Sequence, residues 1–262
     1  MDVVILPTPA DVGTFAAQLI GRRVAASPGT VLGVATGSSP LGIYRELARL
    51  RAREAISLDG LRCFALDEYV GLPPDHPGSY AAFVAREITG PLGLAPANVR
   101  VPDGSAGDIA RACIDYEEDL AAAGGIGLQI LGIGTNGHIG FNEPTSSLSS
   151  RTRVKALSEQ TRKDNSRFFP SGDTVPTHCI TQGLGTIMDA AEIVLVAQGE
   201  RKAAAVAAAI EGPVASMCPA SVLQFHRRVT VVLDEASAGR LALADYYRGV
   251  HAAKDNPIGA LA

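Results

Sequence analysis

Six short apolar runs constrain this chain more than any other feature. Val3 to Leu6, Val31 to Ala35, Arg62 to Leu66, Leu128 to Leu131, Ile193 to Ala197 and Val229 to Leu233 read as strands largely buried on both faces. Between them, Ala10 to Ala26, Pro40 to Ala52, Ser79 to Ile88, Asp108 to Ala122, Glu200 to Ile210 and Ser237 to Val250 carry apolar residues at helical spacing. Strand and helix in alternation predict an α/β fold: a single doubly wound, mostly parallel sheet with helices on both faces, Rossmann-like. No Pro/Gly/Ser linker or charge run divides the 262 residues, so residues 1–262 are expected to form one domain.

Charge and composition exclude several function classes. A net charge of -4, with no Lys/Arg cluster, gives no electrostatic footprint for nucleic acid or for an anionic membrane. The opening MDVVILPTPA lacks a basic leader and no segment approaches the ~20 apolar residues of a membrane span, which predicts a cytoplasmic protein. Cys63, Cys113, Cys179 and Cys218 are far apart without CxxC or CxxH pairing, so core thiols are expected rather than a zinc site or a disulfide framework.

In a doubly wound sheet, ligands sit beyond the carboxyl ends of the strands, so the residues just after each strand matter most. After Leu128 to Leu131 comes GIGTNGHIGF, in which Gly132, Gly134 and Gly137 have dinucleotide-fingerprint spacing. That fingerprint needs a helix whose first amides hold a pyrophosphate. His138 to Pro144 has no apolar stripe at helical spacing, so the cofactor reading fails on context. The loop instead pairs His138 with Glu143. A carboxylate at one ring nitrogen raises the imidazole's basicity and leaves the other nitrogen free to move protons, whereas Asn136 can only orient a partner. Taken alone, a histidine is more often a packed or surface residue than a catalyst; the nearby carboxylate shifts that balance.

Two other strand ends stand out. Thr36-Gly37-Ser38-Ser39-Pro40 precedes a helical pattern: small residues, hydroxyls and a helix N-terminus suit a phosphate monoester, though a strand-to-helix turn capped by serine has the same look. Asp67-Glu68-Tyr69 follows Arg62 to Leu66 directly. A carboxylate there is either a cap or loop anchor, or a base whose proton affinity burial raises.

LDEY, GIGTNGHIGFNEP, SSLSSRTRVKAL and NSRFF together resemble the glucosamine-6-phosphate deaminase (isomerising) family, in order and spacing over nearly the whole chain. The related 6-phosphogluconolactonases share a GxGxxGHxA type of loop but are not expected to continue as Phe141-Asn142-Glu143-Pro144. The resemblance implies conversion of glucosamine 6-phosphate and water into fructose 6-phosphate and ammonia, with no cofactor and no metal. It implies that His138 opens the sugar ring with Glu143 and Asn136 completing its network, and that Asp67 is the base at C2. It implies a phosphate held by Gly37, Ser38 and Ser39, with Arg167 and Lys202 as cationic partners. Without it, Arg167 reads as a solvated helix-end charge and Lys202 as a surface residue.

Many members of that family carry Asp where this chain has Asn136, although the asparagine form also belongs to the pattern. Allosteric members bind N-acetylglucosamine 6-phosphate between subunits, and the matching positions are Ser146, Ser147, Arg153 and Lys155. The C-terminal tyrosine such members use has no match in clear register, Tyr246 and Tyr247 lying close by. The resemblance also implies a homo-oligomer, expected to be a hexamer. Two other functions fit the same loops: a sugar-phosphate hydrolase or simple isomerase, and a sugar-phosphate-sensing module without turnover.

Overall fold

The computed structural model describes residues 1–255. Its elements run β1 (Asp2–Leu6), α1 (Pro9–Ala26), β2 (Val31–Val34), α2 (Leu41–Ala52), β3 (Arg62–Ala65), β4 (Asp67–Tyr69), α3 (Tyr80–Val84), β5 (Val99–Arg100), α4 (Ile109–Ala122), β6 (Leu128–Leu131), β7 (Arg153–Ala156), α5 (Glu159–Asn165), β8 (His178–Thr181), α6 (Leu184–Met188), β9 (Ile193–Ala197), α7 (Ala203–Ile210), β10 (Val229–Asp234), α8 (Glu235–Ala238) and α9 (Ala244–Asp255). All six apolar runs are strands, and β2, β6 and β9 are buried at every residue. Local chemistry sets the helix ends. At α1, Thr8 Oγ1 accepts from the Asp11 amide at 3.2 Å and Asp11 Oδ2 accepts from the Thr8 amide at 3.1 Å, with Pro9 opening the first turn.

The large sheet has seven strands in the order β1-β10-β9-β6-β2-β3-β5, every pair parallel. From β2 the chain winds outward through β3 to β5, then returns to β6 on the other side of β2 and winds away through β9 and β10. The winding direction therefore reverses between β2 and β6. There the loops after the two strands diverge and leave a crevice, the place where open α/β sheets bind ligands.

A second, three-stranded antiparallel sheet, β4-β8-β7, departs from the single-sheet expectation. Its strands are three or four residues long, and β7 alternates half-buried and exposed residues, so none forms an apolar run. Leu66 joins the two sheets. Its N–H donates to Val34 O at 3.1 Å, and its carbonyl accepts from Gln182 N at 2.8 Å. This hinge puts Asp67 beside the end of β2.

Two expected helices also differ. The segment Ser79 to Ile88 is α3 followed by a π turn, Ala85–Thr89. The segment Ser237 to Val250 breaks in two: α8 stops at Ala238, and α9 begins at Ala244 because the Glu211 carboxylate accepts the amides of Ala242 and Leu243, at 2.7 and 2.9 Å. An apolar stripe cannot reveal a cap supplied from 31 residues away. Cys63, Cys113 and Cys179 are buried free thiols and Cys218 is half-buried. Among the described residues no helix is long and apolar enough to cross a membrane.

Candidate active site

Four strand-end segments meet over the crevice. The first is Thr36 to Ser39, between β2 and α2. Tyr44, from the first turn of α2, ties its root: the hydroxyl donates to Ala35 O at 2.7 Å and accepts from Ala35 N at 3.1 Å. Gly37 has φ +85°, and no side chain caps the N-terminus of α2. The turn thus presents small residues, two serines and an open helix N-terminus to the cleft, a set of donors suited to an oxyanion.

Asp67 and Glu68 are both buried. Burial, and then the neighbouring Glu68 charge, push the Asp67 carboxyl well above the usual carboxylate range, against the opposing effect of the Phe141 amide. Asp67 lines the cleft with Leu66, Tyr80, Gly140 and Phe141. Glu68 does not line it. Its oxygens accept the amides of Tyr69 at 2.7 Å, Tyr80 at 2.9 Å and Ala81 at 2.7 Å. The two adjacent acids of one three-residue strand therefore divide their work, one toward the cleft and one toward the start of α3.

The third segment, Gly132 to Glu143, gives the fingerprint glycines a physical meaning of their own. A Cβ on Gly134 would stand 2.4 Å from Cε1 of His138, so only glycine lets the imidazole lie against this backbone. Gly137 has φ +84°, and a Cβ there would meet Cys218 Sγ at 2.7 Å. Gly134 N donates to His138 O and Gly137 N to Gly134 O, closing a tight turn in place of a phosphate-binding helix. Behind His138, Glu143 Oε2 lies 3.7 Å from Nδ1, an ionic rather than hydrogen-bonding distance. The same oxygen accepts from Asn136 Nδ2 at 2.7 Å, while Oε1 accepts from Ser158 Oγ at 3.1 Å. Burial raises the Glu143 carboxyl, but the adjoining imidazole, Thr161 and Asn136 outweigh it and hold the group down at about 2. Asn136 also accepts the backbone N–H of His138 at 3.2 Å, so it acts on the loop and on Glu143 rather than on the ring.

The fourth segment is the 3-10 turn Glu200–Lys202 after β9. Lys202 reaches the cleft. Burial, with Arg167 and Arg201 nearby, lowers its proton affinity below the ordinary lysine range. Arg167 comes from the 3-10 turn Ser166–Phe168 that follows α5, its guanidinium 4.8 Å over the Phe168 ring.

One cleft thus holds Gly37, Ser38, Ser39, Asp67, His138, Arg167 and Lys202, with Asn136 and Glu143 directly behind the imidazole. Sequence reading missed Tyr80, Asn165 and Phe168, which also line it. The NSRFF segment contained the last two. Tyr80 left no signal, because its place depends on Glu68 anchoring α3. The effector candidates Ser146, Ser147, Arg153 and Lys155 lie outside the cleft. Arg153 and Lys155 share a face of β7, Arg153 donating to Asn142 Oδ1 at 2.9 Å; Ser146 is buried and Ser147 exposed.

Comparison with known proteins follows the same lines. A family model described as glucosamine-6-phosphate isomerases/6-phosphogluconolactonase matches residues 9–232. A glucosamine-6-phosphate deaminase of Arthrobacter sp. (strain FB24) is 56% identical over 254 residues, covering 97% of this chain and 98% of that protein. The enzyme of the same name from Pseudarthrobacter chlorophenolicus is 58% identical over 250 residues, 95% of each. Among solved structures, a monomeric glucosamine-6-phosphate deaminase superposes with a TM-score of 0.89 at 40% identity, over 92% of this chain and 100% of its own. The 6-phosphogluconolactonase of Trypanosoma cruzi shares the fold, with a TM-score of 0.75 at 19% identity over 92% and 97% of the two chains.

Proposed function

The chain belongs to the glucosamine-6-phosphate isomerase/6-phosphogluconolactonase family, and on that premise we propose that it is a glucosamine-6-phosphate deaminase, with residues 1–262 as one such unit. It converts glucosamine 6-phosphate and water into fructose 6-phosphate and ammonia, a step of amino-sugar catabolism. The observation that carries this reading is a buried carboxylate and an imidazole backed by a carboxylate, opening into one cleft with two cations and a helix N-terminus.

In this reading the phosphate sits at Gly37, Ser38 and Ser39, with Lys202 and Arg167 as its cationic partners. His138 takes the proton of the anomeric hydroxyl and returns it to the ring oxygen, opening the pyranose. Glu143 stays ionised throughout and stabilises the imidazolium that forms between the two transfers. Asp67 then removes the C2 proton. Burial favours its neutral form; the substrate's C2 ammonium supplies the positive charge that favours the carboxylate. As the enolamine forms, the ammonium passes a proton to O1; the enolamine is then protonated at C1 by Asp67, leaving an iminium at C2, which water attacks with loss of ammonia.

The test is a coupled assay in which glucosamine 6-phosphate yields ammonia and fructose 6-phosphate in equal amounts. Hydrolysis of 6-phosphogluconolactone without ammonia release would instead favour the lactonase branch, and tight binding without turnover a sensing module. The effector positions Ser146, Ser147, Arg153 and Lys155 are part of the proposal: N-acetylglucosamine 6-phosphate is expected to change the saturation curve, and identical hyperbolic kinetics with and without it remove them. Sedimentation velocity decides between the homo-oligomer expected from the sequence and the monomeric form described for the solved relative.

A further inference from the structure

Glu68 takes no part in the steps above, yet it is one of the most completely held carboxylates in the molecule. It is 3% exposed and accepts three backbone amides from two elements. Two of those amides, Tyr80 and Ala81, open α3, and the next, Ala82, is taken by Ser79 Oγ at 3.0 Å. The first turn of α3 is therefore fastened to β4 by Glu68 and to its own cap by Ser79. The residue before Glu68 is Asp67, and the first residue of α3 is Tyr80, which lines the cleft beside Asp67 and lies parallel to the Phe141 ring at 5.7 Å and 12°.

We propose that Glu68 is a positioning residue for the reaction: fastened to the backbone of β4 and α3, it fixes Asp67 and Tyr80 relative to each other and keeps a second negative charge beside the base. The inference rests on Asp67 being the C2 base. A base that carries a proton from C2 to C1 has to hold it between the two steps, and the substrate's ammonium works against that by favouring the carboxylate. A fixed anion on the adjacent residue acts in the opposite direction. The other titratable groups around Asp67 are Tyr69 on β4, Tyr80 on α3, Tyr116 on α4 and Cys179 on β8, all with proton affinities raised first by burial, and so neutral near pH 7. His138, Arg167 and Lys202 share the cleft with it. Burial raises the Glu68 carboxyl above its ordinary range, while the amides of Tyr80, Ala81 and Tyr69 that it accepts pull the other way and favour its charged form; as a carboxylate, Glu68 adjoins Asp67 along the chain while standing outside the cleft.

The experiment compares the pH dependence of kcat/KM for glucosamine 6-phosphate in the wild type, Glu68→Gln, Glu68→Asp and Ser79→Ala. Substrate ionisations are common to all four and cancel. Glu68→Gln removes the charge and keeps the Oε1 contacts: the acidic limb is expected to move to lower pH by about one unit, with kcat about tenfold down and KM little changed. Glu68→Asp keeps the charge but falls short of the α3 amides: kcat drops while the limb stays in place. Ser79→Ala loosens the same helix turn without touching charge, lowering the melting temperature and leaving the limb unmoved. A Glu68→Gln profile that coincides with wild type, its only change a lower melting temperature, would reduce Glu68 to a helix anchor and overturn the proposal. If that variant does not fold, Glu68→Asp decides: wild-type kcat overturns the proposal, and a reduced kcat with an unmoved limb upholds it. A wild-type protein that releases no ammonia fails earlier and overturns the deaminase reading and this inference together.

Discussion

The two ends of the cleft are built from opposite materials. At the proton-transfer end Asp67, Glu68 and Glu143 are all buried, at 4%, 3% and 5% exposure, and their surroundings set their protonation. At the phosphate end Ser38 and Arg167 are exposed and Lys202 is half-buried. Charges in the first region are few, fixed and strongly perturbed. Those in the second are long, less buried side chains around a backbone turn. On the roles proposed above, the difference teaches that one end would determine whether a proton moves and the other only how long the substrate stays.

The largest expected effect is at the buried end. Asp67→Asn should slow exchange of the C2 proton with solvent by about 10²–10⁴-fold while leaving sugar-phosphate affinity within a few-fold of wild type. Exchange near the wild-type rate, followed by NMR in deuterium oxide, would assign the base elsewhere and erase the contrast.

The open end should behave in the complementary way. Lys202→Ala and Arg167→Ala should each cost the about 1.5–3 kcal/mol of a charge-assisted contact, an affinity loss of roughly 10–150-fold, with little change in melting temperature. Calorimetric titration with glucosamine 6-phosphate measures it. Unchanged affinity in both variants would move the phosphate to another site.

A smaller effect sharpens the account of the His138 loop. Asn136→Asp sets a carboxylate where an amide now donates to Glu143. The added negative charge near His138 favours the imidazolium, and because ring opening needs the ring able to accept a proton, the acidic limb of the ring-opening rate, followed separately from C2 proton transfer, moves to higher pH. The new acid and Glu143 titrate as a pair. Asn136→Ala, which removes orientation without adding charge, should slow ring opening and leave the limb in place. An Asp variant whose limb matches wild type would place Asn136 outside the catalytic network.

The smallest effect is on stability, and its sign differs between two acids of the same end. Glu143 has its folded value depressed to about 2 from 4.5, so its contribution is complete above pH ~4.5 and is lost as pH falls toward 2. Asp67 has its folded value raised, so its ionisation opposes folding, and stability is regained as pH falls through that value. At pH 7, thermal melts should therefore show Asp67→Asn a few degrees more stable than wild type and Glu143→Gln a few degrees less. Equal shifts of the same sign would show that the two carboxylates share one environment.

Much of this was legible in the residues themselves. The six apolar runs determined the parallel sheet, because a four- or five-residue segment with at most one polar side chain has few places to go except between two covering layers. The absence of a helical stripe after His138 ruled out a cofactor cradle, and the turn that replaces it owes its shape to Gly134 and Gly137. The cationic partners proposed for the phosphate were legible only by resemblance, since an isolated lysine or arginine has no local pattern. Tertiary structure alone decided the rest. The small antiparallel sheet has strands too short to leave a periodicity, the split between α8 and α9 depends on the distant Glu211, and Tyr80 is held at the cleft through amides that Glu68 accepts from twelve and thirteen residues away. Local sequence encodes what a segment must bury. Which carboxylate faces substrate and which faces backbone depends on hydrogen-bond partners that the chain brings together only when it folds.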